Sequence, residues 1–380
     1  MSDAPDDPRR LAIAAIVRID DEGAYANVVL PKMLGATSLD GRDKGFATEL
    51  VYGATRMKRR LDHLVDRFLF EPPPPSARAA LRIGAHQLLH LDTPPHAAVS
   101  ATVAAAPKRF RGLVNAVLRK VAGAVADGVT FPSVGIDLSY PDWLVERLES
   151  DLGAERGRQA LESMNLAAGV HVRDDGYVQD PSSQAVAGAV PVAPGDRVLD
   201  VCAAPGGKAT ALAGRGARVF AADQRHGRAG LITANRERLE IDDLHVVQAD
   251  GTAPPFAPST FDAVLVDAPC SGLGALRRRA DARWRIQPDD IAELADLQRQ
   301  ILSAAAPLVR RGGSLVYSVC TLTRAESSGV VASVHADLAR LGFVSDLPSG
   351  EGWEPFGDDT LLLVPGPDAD GMALARWVRG

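Results

Sequence analysis

R-V-L-D-V-C-A-A-P-G-G-K (197–208) is the stretch whose reading decides the fold of the C-terminal half. A strand-like run ends at Asp200 and passes into a loop where Gly206 and Gly207 let the backbone approach a ligand closely before the next helix. Further strand-like runs at 218–222, 245–249, 263–266 and 314–319 alternate with helical stretches at 227–239 and 291–308. That alternation predicts an open, mostly parallel sheet with helices on both faces. Ligands of such sheets bind beyond the carboxyl ends of the strands. The candidates for chemistry are therefore 200–208, Asp223, Asp250, 267–270 and Cys320.

The glycine loop lacks the G-x-G-x-x-G spacing of a dinucleotide fingerprint. Asp223, at the tip of the next strand, is placed to accept hydrogen bonds from ribose hydroxyls, and Asp250 to meet an adenine amino group or order its own loop. Ordinary strand ends also carry acids, so each alone has a bland reading. The three cysteines, Cys202, Cys270 and Cys320, all stand where a strand runs out. Their spacing matches no zinc pattern and an odd number cannot all pair, which predicts reduced thiols and no metal.

The first 125 or so residues have a different period. Leu61, Leu64, Val65, Phe68 and Leu69 recur at helical spacing, as do Val114, Val117, Leu118 and Val121, and prolines at 72–75 and 94–95 punctuate the helices. An all-α bundle over 1–128 follows, then a helical linker over 129–178 and the α/β domain over 179–380. The chain is 380 residues long, 46% hydrophobic and 24% charged, enough for two or three domains. Charge or proline interrupts every apolar run short of a membrane span, and the acidic start M-S-D-A-P-D-D-P is no signal peptide. A cytoplasmic protein without a membrane partner is expected.

The net charge of −6 conceals an asymmetry: residues 1–128 carry +4 and the remainder −10. Between Asp92 and Asp127 there is no acid, while Lys108, Arg109, Arg111, Arg119 and Lys120 fall there. A face for nucleic acid and the solvated helices of an arginine-rich chain both account for this pattern.

D-V-C-A-A-P-G-G-K (200–208), D-A-P-C-S-G-L-G (267–274) followed by R-R-R-A-D-A-R-W (277–284), and Y-S-V-C-T-L (317–322) together resemble the S-adenosylmethionine-dependent RNA cytosine-5 methyltransferases. L-V-Y-G-A-T-R (50–56), P-H-A-A-V-S (95–100) and V-N-A-V-L-R (114–119) are similar to the NusB-like domain that precedes the catalytic domain in the Sun, or RsmB, branch, which methylates a cytosine of 16S ribosomal RNA. The resemblance implies a Rossmann-like domain with a seven-stranded sheet. It also implies S-adenosyl-L-methionine held by Cys202, Ala203, Ala204, Pro205, Gly206, Gly207, Lys208, Asp223, Arg228, Asp250 and Asp267. The implied partner is 16S rRNA, free or within a small-subunit particle, and the protein is expected to be a monomer.

Cytosine C5 is too weak a nucleophile to take a methyl group until a thiolate adds at C6. By resemblance Cys320 is that nucleophile and Cys270 assists release of the product. Asp267 would hydrogen-bond N3 and N4 of the ring, and Lys208 would lower a thiol pKa, orient the base or merely cap its loop. Cys202 is read as a loop residue whose thiol need not react. Arg277, Arg278, Arg279 and Arg283, with Lys108, Arg109 and Arg111, are expected to contact RNA phosphates. His86, His90 and His96 are read as structural, and Trp143 and Trp353 as packing residues.

The chain departs from the family pattern at several points. Val319 and Thr321 flank Cys320 where T-C-S is usual, Glu326-Ser327 replaces an acid-amide pair, and Asp370-Gly371-Met372-Ala373 stands for D-G-F-F. Between Asn165 and Gln179 there is no room for the small RNA-binding subdomain common in the family. Rival readings are a non-catalytic RNA-binding or assembly factor on the same scaffold, and a methyltransferase acting on transfer RNA or on protein.

Overall fold

A computed structural model of the protein describes residues 7–91 and 93–380; the acidic start at 1–6 and Asp92 lie outside the described residues. The chain forms two compact units, one of Met1–Val145 with Arg279–Arg285, the other of Glu146–Arg278 with Ile286–Gly380. The stretch expected as a linker over 129–178 is thus divided, its first part packing with the helices before it. That expectation followed the loss of helical period after Asp127, whereas Tyr140 and Leu144 are fully buried.

The first unit is built from helices Pro8–Asp20, Ala26–Gly35, Gly41–Arg56, Lys58–Asp66, Pro75–His90, Pro95–Ala105 and Arg111–Asp127. Asp7 and Asp40 cap the first and third by accepting from the backbone N–H of Arg10 and Asp43. Pro75 and Pro95 open their helices at the first position, where a missing N–H deprives no partner. Leu61, Leu64, Val65, Val114, Val117, Leu118 and Val121 all enter one core, as their spacing predicts. A Cβ on Gly84 would come within 2.3 Å of Leu118, so helices Pro75–His90 and Arg111–Asp127 touch where only glycine fits. Arg82, nearly buried, bridges Asp20 and Asp62 and fastens three helices together.

The second unit contains a nine-stranded mixed sheet. Its strands are β1 (Arg197–Asp200), β2 (Arg218–Asp223), β3 (Leu244–Gln248), β4 (Phe261–Asp267), β5 (Val309–Val319), β6 (Phe343–Ser345), β7 (Trp353–Pro355), β8 (Leu361–Leu363) and β9 (Met372–Arg379). The order β3-β2-β1-β4-β5 is parallel throughout. Strand order reverses between β1 and β4, which opens the crevice beyond their carboxyl ends. β9 then runs antiparallel to β5, and β6, β7 and β8 complete the antiparallel side. The expected seven-stranded, mostly parallel sheet is therefore corrected. The five parallel strands match the sequence reading, but β6, β7 and β8 are three residues each, too short to show any period.

Residues 165–179 contain no subdomain: among the described residues, the single bridge Val172–Val178 is their only strand pairing. Arg173 anchors this turn to the glycine loop, donating to the carbonyl of Gly207 at 2.6 Å and to Thr210 Oγ1 at 3.0 Å.

The arginines after the 267–274 motif are placed differently from the expectation that they face RNA. Arg277 is buried, paired with Asp370 and donating to the carbonyls of Pro367, Gly366 and Ala369. Arg278 joins Asp180 to Asp370. Arg283 lies wholly inside the first unit, 4.0 Å over the Tyr140 ring and donating to the Ser139 carbonyl. Trp284 donates to the Thr55 carbonyl at 2.7 Å, and Asp281 accepts from the N–H of Ala26 and from Arg285. Of the four arginines assigned to RNA in this stretch, only Arg279 is exposed. The charge run is real, but internal carboxylates, carbonyls and a ring satisfy it.

Arg283→Ala should therefore lower unfolding stability by about 3 kcal/mol, as expected for emptying a large buried site. Arg279→Ala should stay within about 0.5 kcal/mol. Urea titration of the two variants checks this, and equal midpoints would contradict the buried role of Arg283.

Candidate active site

The crevice between β1 and β4 receives the residues that the sequence picks out. Past the end of β1, Val201 N–H bonds the Leu265 carbonyl at 2.9 Å and Ala203 N–H bonds the Ala222 carbonyl at 2.8 Å. These bonds prolong the parallel register into the loop and splay it between neighbouring strands. The turn closes at Gly206, whose φ of +108° is open to glycine but strained for other residues. Arg228 ties the loop to the second strand, donating to Asp223 Oδ2 at 3.0 Å and to the Ala204 carbonyl at 2.8 Å. Asp223 is buried, and Arg225 N–H also bonds it. Asp250 is exposed and accepts from Thr252 and Gln224. Hydrogen bonds from Thr252 hold its carboxyl below the usual range.

Deeper in the crevice, Lys208 Nζ lies 2.7 Å from Asp267 Oδ2, and Ser318 Oγ donates to Asp267 Oδ1 at 2.8 Å. Asp267 and Ser318 are register partners of β4 and β5, so sheet pairing itself brings them together. Burial opposes the Lys208 charge, yet Asp267, Cys320 and Asp200 hold its pKa above the ordinary lysine value. The thiols of Cys270 and Cys320 meet at 3.3 Å. The hydrogen bond to Cys320, burial and the nearby Glu326 push the Cys270 pKa well above that of a free thiol. The Cys202 thiol is also pushed up, first by burial and then by Asp200, Asp267 and Asp223, which makes it unreactive.

The sequence reading names Asp200 only as a strand end, but it is the most perturbed carboxyl in the crevice. It is fully buried, and beyond the nearby backbone N–H of Cys202 its oxygens meet no hydrogen-bond donor among the described residues. Burial, reinforced by Asp267 and opposed by Lys208, raises its pKa to about 8. Such buried oxygens beside a glycine turn suit a ligand that brings hydrogen-bond donors. Asp223 offers further acceptor capacity one strand away.

Gln298, Tyr317 and Ser318 are further site residues that were not anticipated. Gln298 donates to the Pro269 carbonyl at 2.9 Å and its Oε1 lies 3.0 Å from the Tyr317 hydroxyl, supporting the Cys270 loop from behind. A signal was available: Gln298 lies on the buried stripe of helix Pro288–Ala305 with Ile291, Ile301 and Leu302, where a polar residue requires a partner. Lys108 and Arg109 are exposed on the first unit, whereas Arg111 bonds the carbonyls of Ala104 and Ala106 at a helix end. His86 is buried against Glu49 and His90, and burial lowers the His90 pKa to about 3.

Asp200 makes stability depend on pH in a defined direction. Its pKa is higher folded than the 3.8 of an ordinary Asp, so between these values the folded chain keeps a proton that the unfolded chain releases. Stability is therefore lost as pH rises and the loss levels off above about 8. From about pH 5 to about pH 8 the melting temperature of the wild type should fall more steeply than that of Asp200→Asn. Parallel melting curves would remove Asp200 as the cause.

Residues 189–376 match the 16S rRNA methyltransferase RsmB/F family, and residues 6–123 match the NusB family. Ribosomal RNA small subunit methyltransferase B of Thermus thermophilus is 38% identical over 357 residues, covering 85% of this chain and 86% of that protein. The protein of the same name from Serratia proteamaculans is 30% identical over 435 residues and 98% of each chain. Among solved structures, PH0851 superposes with a TM-score of 0.77 at 20% identity, over 98% of this chain and 99% of that one. A methyltransferase homologue protein from Pyrococcus horikoshii does so with 0.53 at 22% identity, over 66% and 100%. These two are likenesses of fold, whereas the identity and coverage of the relatives decide membership. The chain belongs to the 16S rRNA methyltransferase RsmB/F family, with a NusB-family unit ahead of its catalytic one.

Proposed function

We propose that the protein methylates C5 of a cytosine in 16S rRNA, using S-adenosylmethionine and a transient bond between Cys320 and C6. The observation that carries this reading is the approach of two thiols to 3.3 Å beside the Lys208–Asp267 pair. A lone buried cysteine would need no such company. S-adenosylmethionine supplies an electrophilic methyl group when bound. The 202–208 loop would hold it, with Asp223 on its ribose, Asp250 on its adenine, Arg228 keeping loop and acid together, and the buried Asp200 oxygens facing its donors.

Cys320 adds as thiolate to C6, and the electron pair displaced onto C5 makes that carbon the nucleophile. Lys208 supplies the positive charge that favours the thiolate. Asp267, fixed by Lys208 and Ser318, accepts from the cytosine N4 amine and orients the ring. After C5 is methylated, solvent water takes the C5 proton, its bonding pair re-forms the C5–C6 double bond, and the C6–S bond breaks to return the thiolate. Cys270, in contact with that sulfur, assists this release. Exposed Lys108 and Arg109 are the cations offered to RNA phosphates. The enzyme acts as a cytoplasmic monomer, on rRNA free or within a small-subunit particle.

Cys320→Ala should abolish both methyl transfer and covalent capture of RNA, while Cys270→Ala should accumulate a protein–RNA adduct visible on a denaturing gel. Retention of activity by Cys320→Ala would sink the mechanism. For RNA binding, the slope of log affinity against log salt should flatten by about 2 in the Lys108→Ala/Arg109→Ala double variant. An unchanged slope would exclude this pair from the RNA face.

A further inference from the structure

A single buried carboxylate holds both thiol loops. Glu326 has no exposed surface, and four separate residues donate to it. Ser271 gives its backbone N–H at 2.7 Å and its hydroxyl at 2.5 Å. Thr323 Oγ1 donates at 2.9 Å and Gln298 Nε2 at 3.2 Å. The Thr321 hydroxyl lies 3.1 Å from Glu326 Oε2 and 2.9 Å from Ser271 Oγ. Gln298 also carries the Pro269 carbonyl, and the Tyr317 hydroxyl closes the ring by donating to the Glu326 carbonyl at 2.6 Å. The residues that follow Cys270 and Cys320 thus converge on one side chain, and Pro269, which precedes Cys270, is tied to it through Gln298.

Such convergence calls for an ionised carboxylate, which only accepts. A glutamine there would turn two donors toward the N–H and hydroxyls of Ser271, Thr321 and Thr323. Among the described residues no Lys or Arg forms an ion pair with Glu326, so hydrogen bonds alone offset the desolvation of its charge. Two loops could be joined at lower cost by neutral groups. The charge has a use: bonded to the N–H and hydroxyl of Ser271, it raises the pKa of the adjacent Cys270, whereas Lys208 and Cys320 favour each other's charged forms.

We propose that Glu326 is the positioning residue of the thiol pair, fixing the approach of Cys270 to Cys320 by gathering Ser271, Thr321 and Thr323 onto one carboxylate, with Pro269 tied to it through Gln298. Its field also disfavours a thiolate at Cys270, so that between Glu326 and Lys208 the nucleophile is directed to Cys320. This rests on the reading of Cys320 as the attacking thiol and deepens it. Thr321, which departs from the serine usual in the family, keeps the hydroxyl that the network uses.

The experiment uses full-length Glu326→Gln, with site-resolved alkylation by iodoacetamide in the absence of RNA followed across pH. In the wild type Cys320 should react first. In the variant the preference for Cys320 over Cys270 should shrink by about tenfold, the effect of one unit of relative acidity. The kcat for methylation should fall by about a hundredfold, as for a small misplacement of reacting groups, with KM for S-adenosylmethionine within about twofold. Should Glu326→Gln fail to fold, Thr321→Val removes one hydroxyl at nearly constant shape and should show the same changes to a smaller degree, with Thr321→Ser restoring the wild-type pH profile. A folded Glu326→Gln with an unaltered alkylation profile, or a Thr321→Val indistinguishable from wild type where Glu326→Gln does not fold, would overturn the proposal. If the alkylation preference shifts as expected but Cys320→Ala still methylates RNA, the positioning role stands and the nucleophile assignment fails.

Discussion

A lysine and an aspartate held 2.7 Å apart in the crevice are the interaction on which the rest of the site depends. Removing either charge from water is expensive, and their mutual attraction offsets this only when the remaining hydrogen-bonding capacity is used. Ser318 uses the second oxygen of Asp267, while Cys320 adds to the stabilisation of the Lys208 ammonium. The geometry requires the parallel pairing of β4 with β5 and the glycine turn after β1, because Lys208 reaches Asp267 from a helix that begins only where Gly206 has reversed the chain. Sheet register and loop conformation are thereby coupled to the electrostatics of the thiols.

The two thiols are alike in chemistry and different in surroundings. Cys320 has Lys208 beside it, and Cys270 has Glu326 and a buried loop. Separation of acidity between paired titratable groups is how one site can hold distinct proton-carrying roles. Gly274 shows how closely the two loops are drawn together: its N–H bonds the Cys320 carbonyl, and a Cβ there would meet the Gly371 carbonyl at 2.3 Å. The D-G segment at 370–371 is a packing partner of the thiol loops, and Met372 and Ala373 stand where two aromatics are usual after it. Both continue β9 as buried residues.

The arginine run after the 267–274 motif shows that composition does not give direction. In the sequence, Arg277, Arg278 and Arg283 read as phosphate contacts ahead of an exposed loop, because they directly follow the 267–274 motif. In the fold, Arg277 and Arg278 share Asp370, distant in sequence, and Arg283 is stacked on Tyr140. A guanidinium can be buried when planar partners and carbonyls saturate it, which a lysine at the same places would not achieve.

The sequence by itself determined the division into a helical and an α/β part, the five parallel strands, the loop after β1 and the identity of Asp223, Asp267, Cys270 and Cys320 as crevice residues. Each has a local signature: a helical period, a run of β-branched residues, or an acid or cysteine at a strand end. The tertiary structure alone decided what those groups experience. That Asp200 lies buried, that Glu326 gathers both thiol loops, that Gln298 braces Pro269 and that the arginines turn inward are set by the fold, with partners 28 to 144 residues away in the last three. Local pattern records which face of an element is buried. It carries no information about which distant donor will meet a buried carboxylate, because that contact exists only once strands and loops are in register.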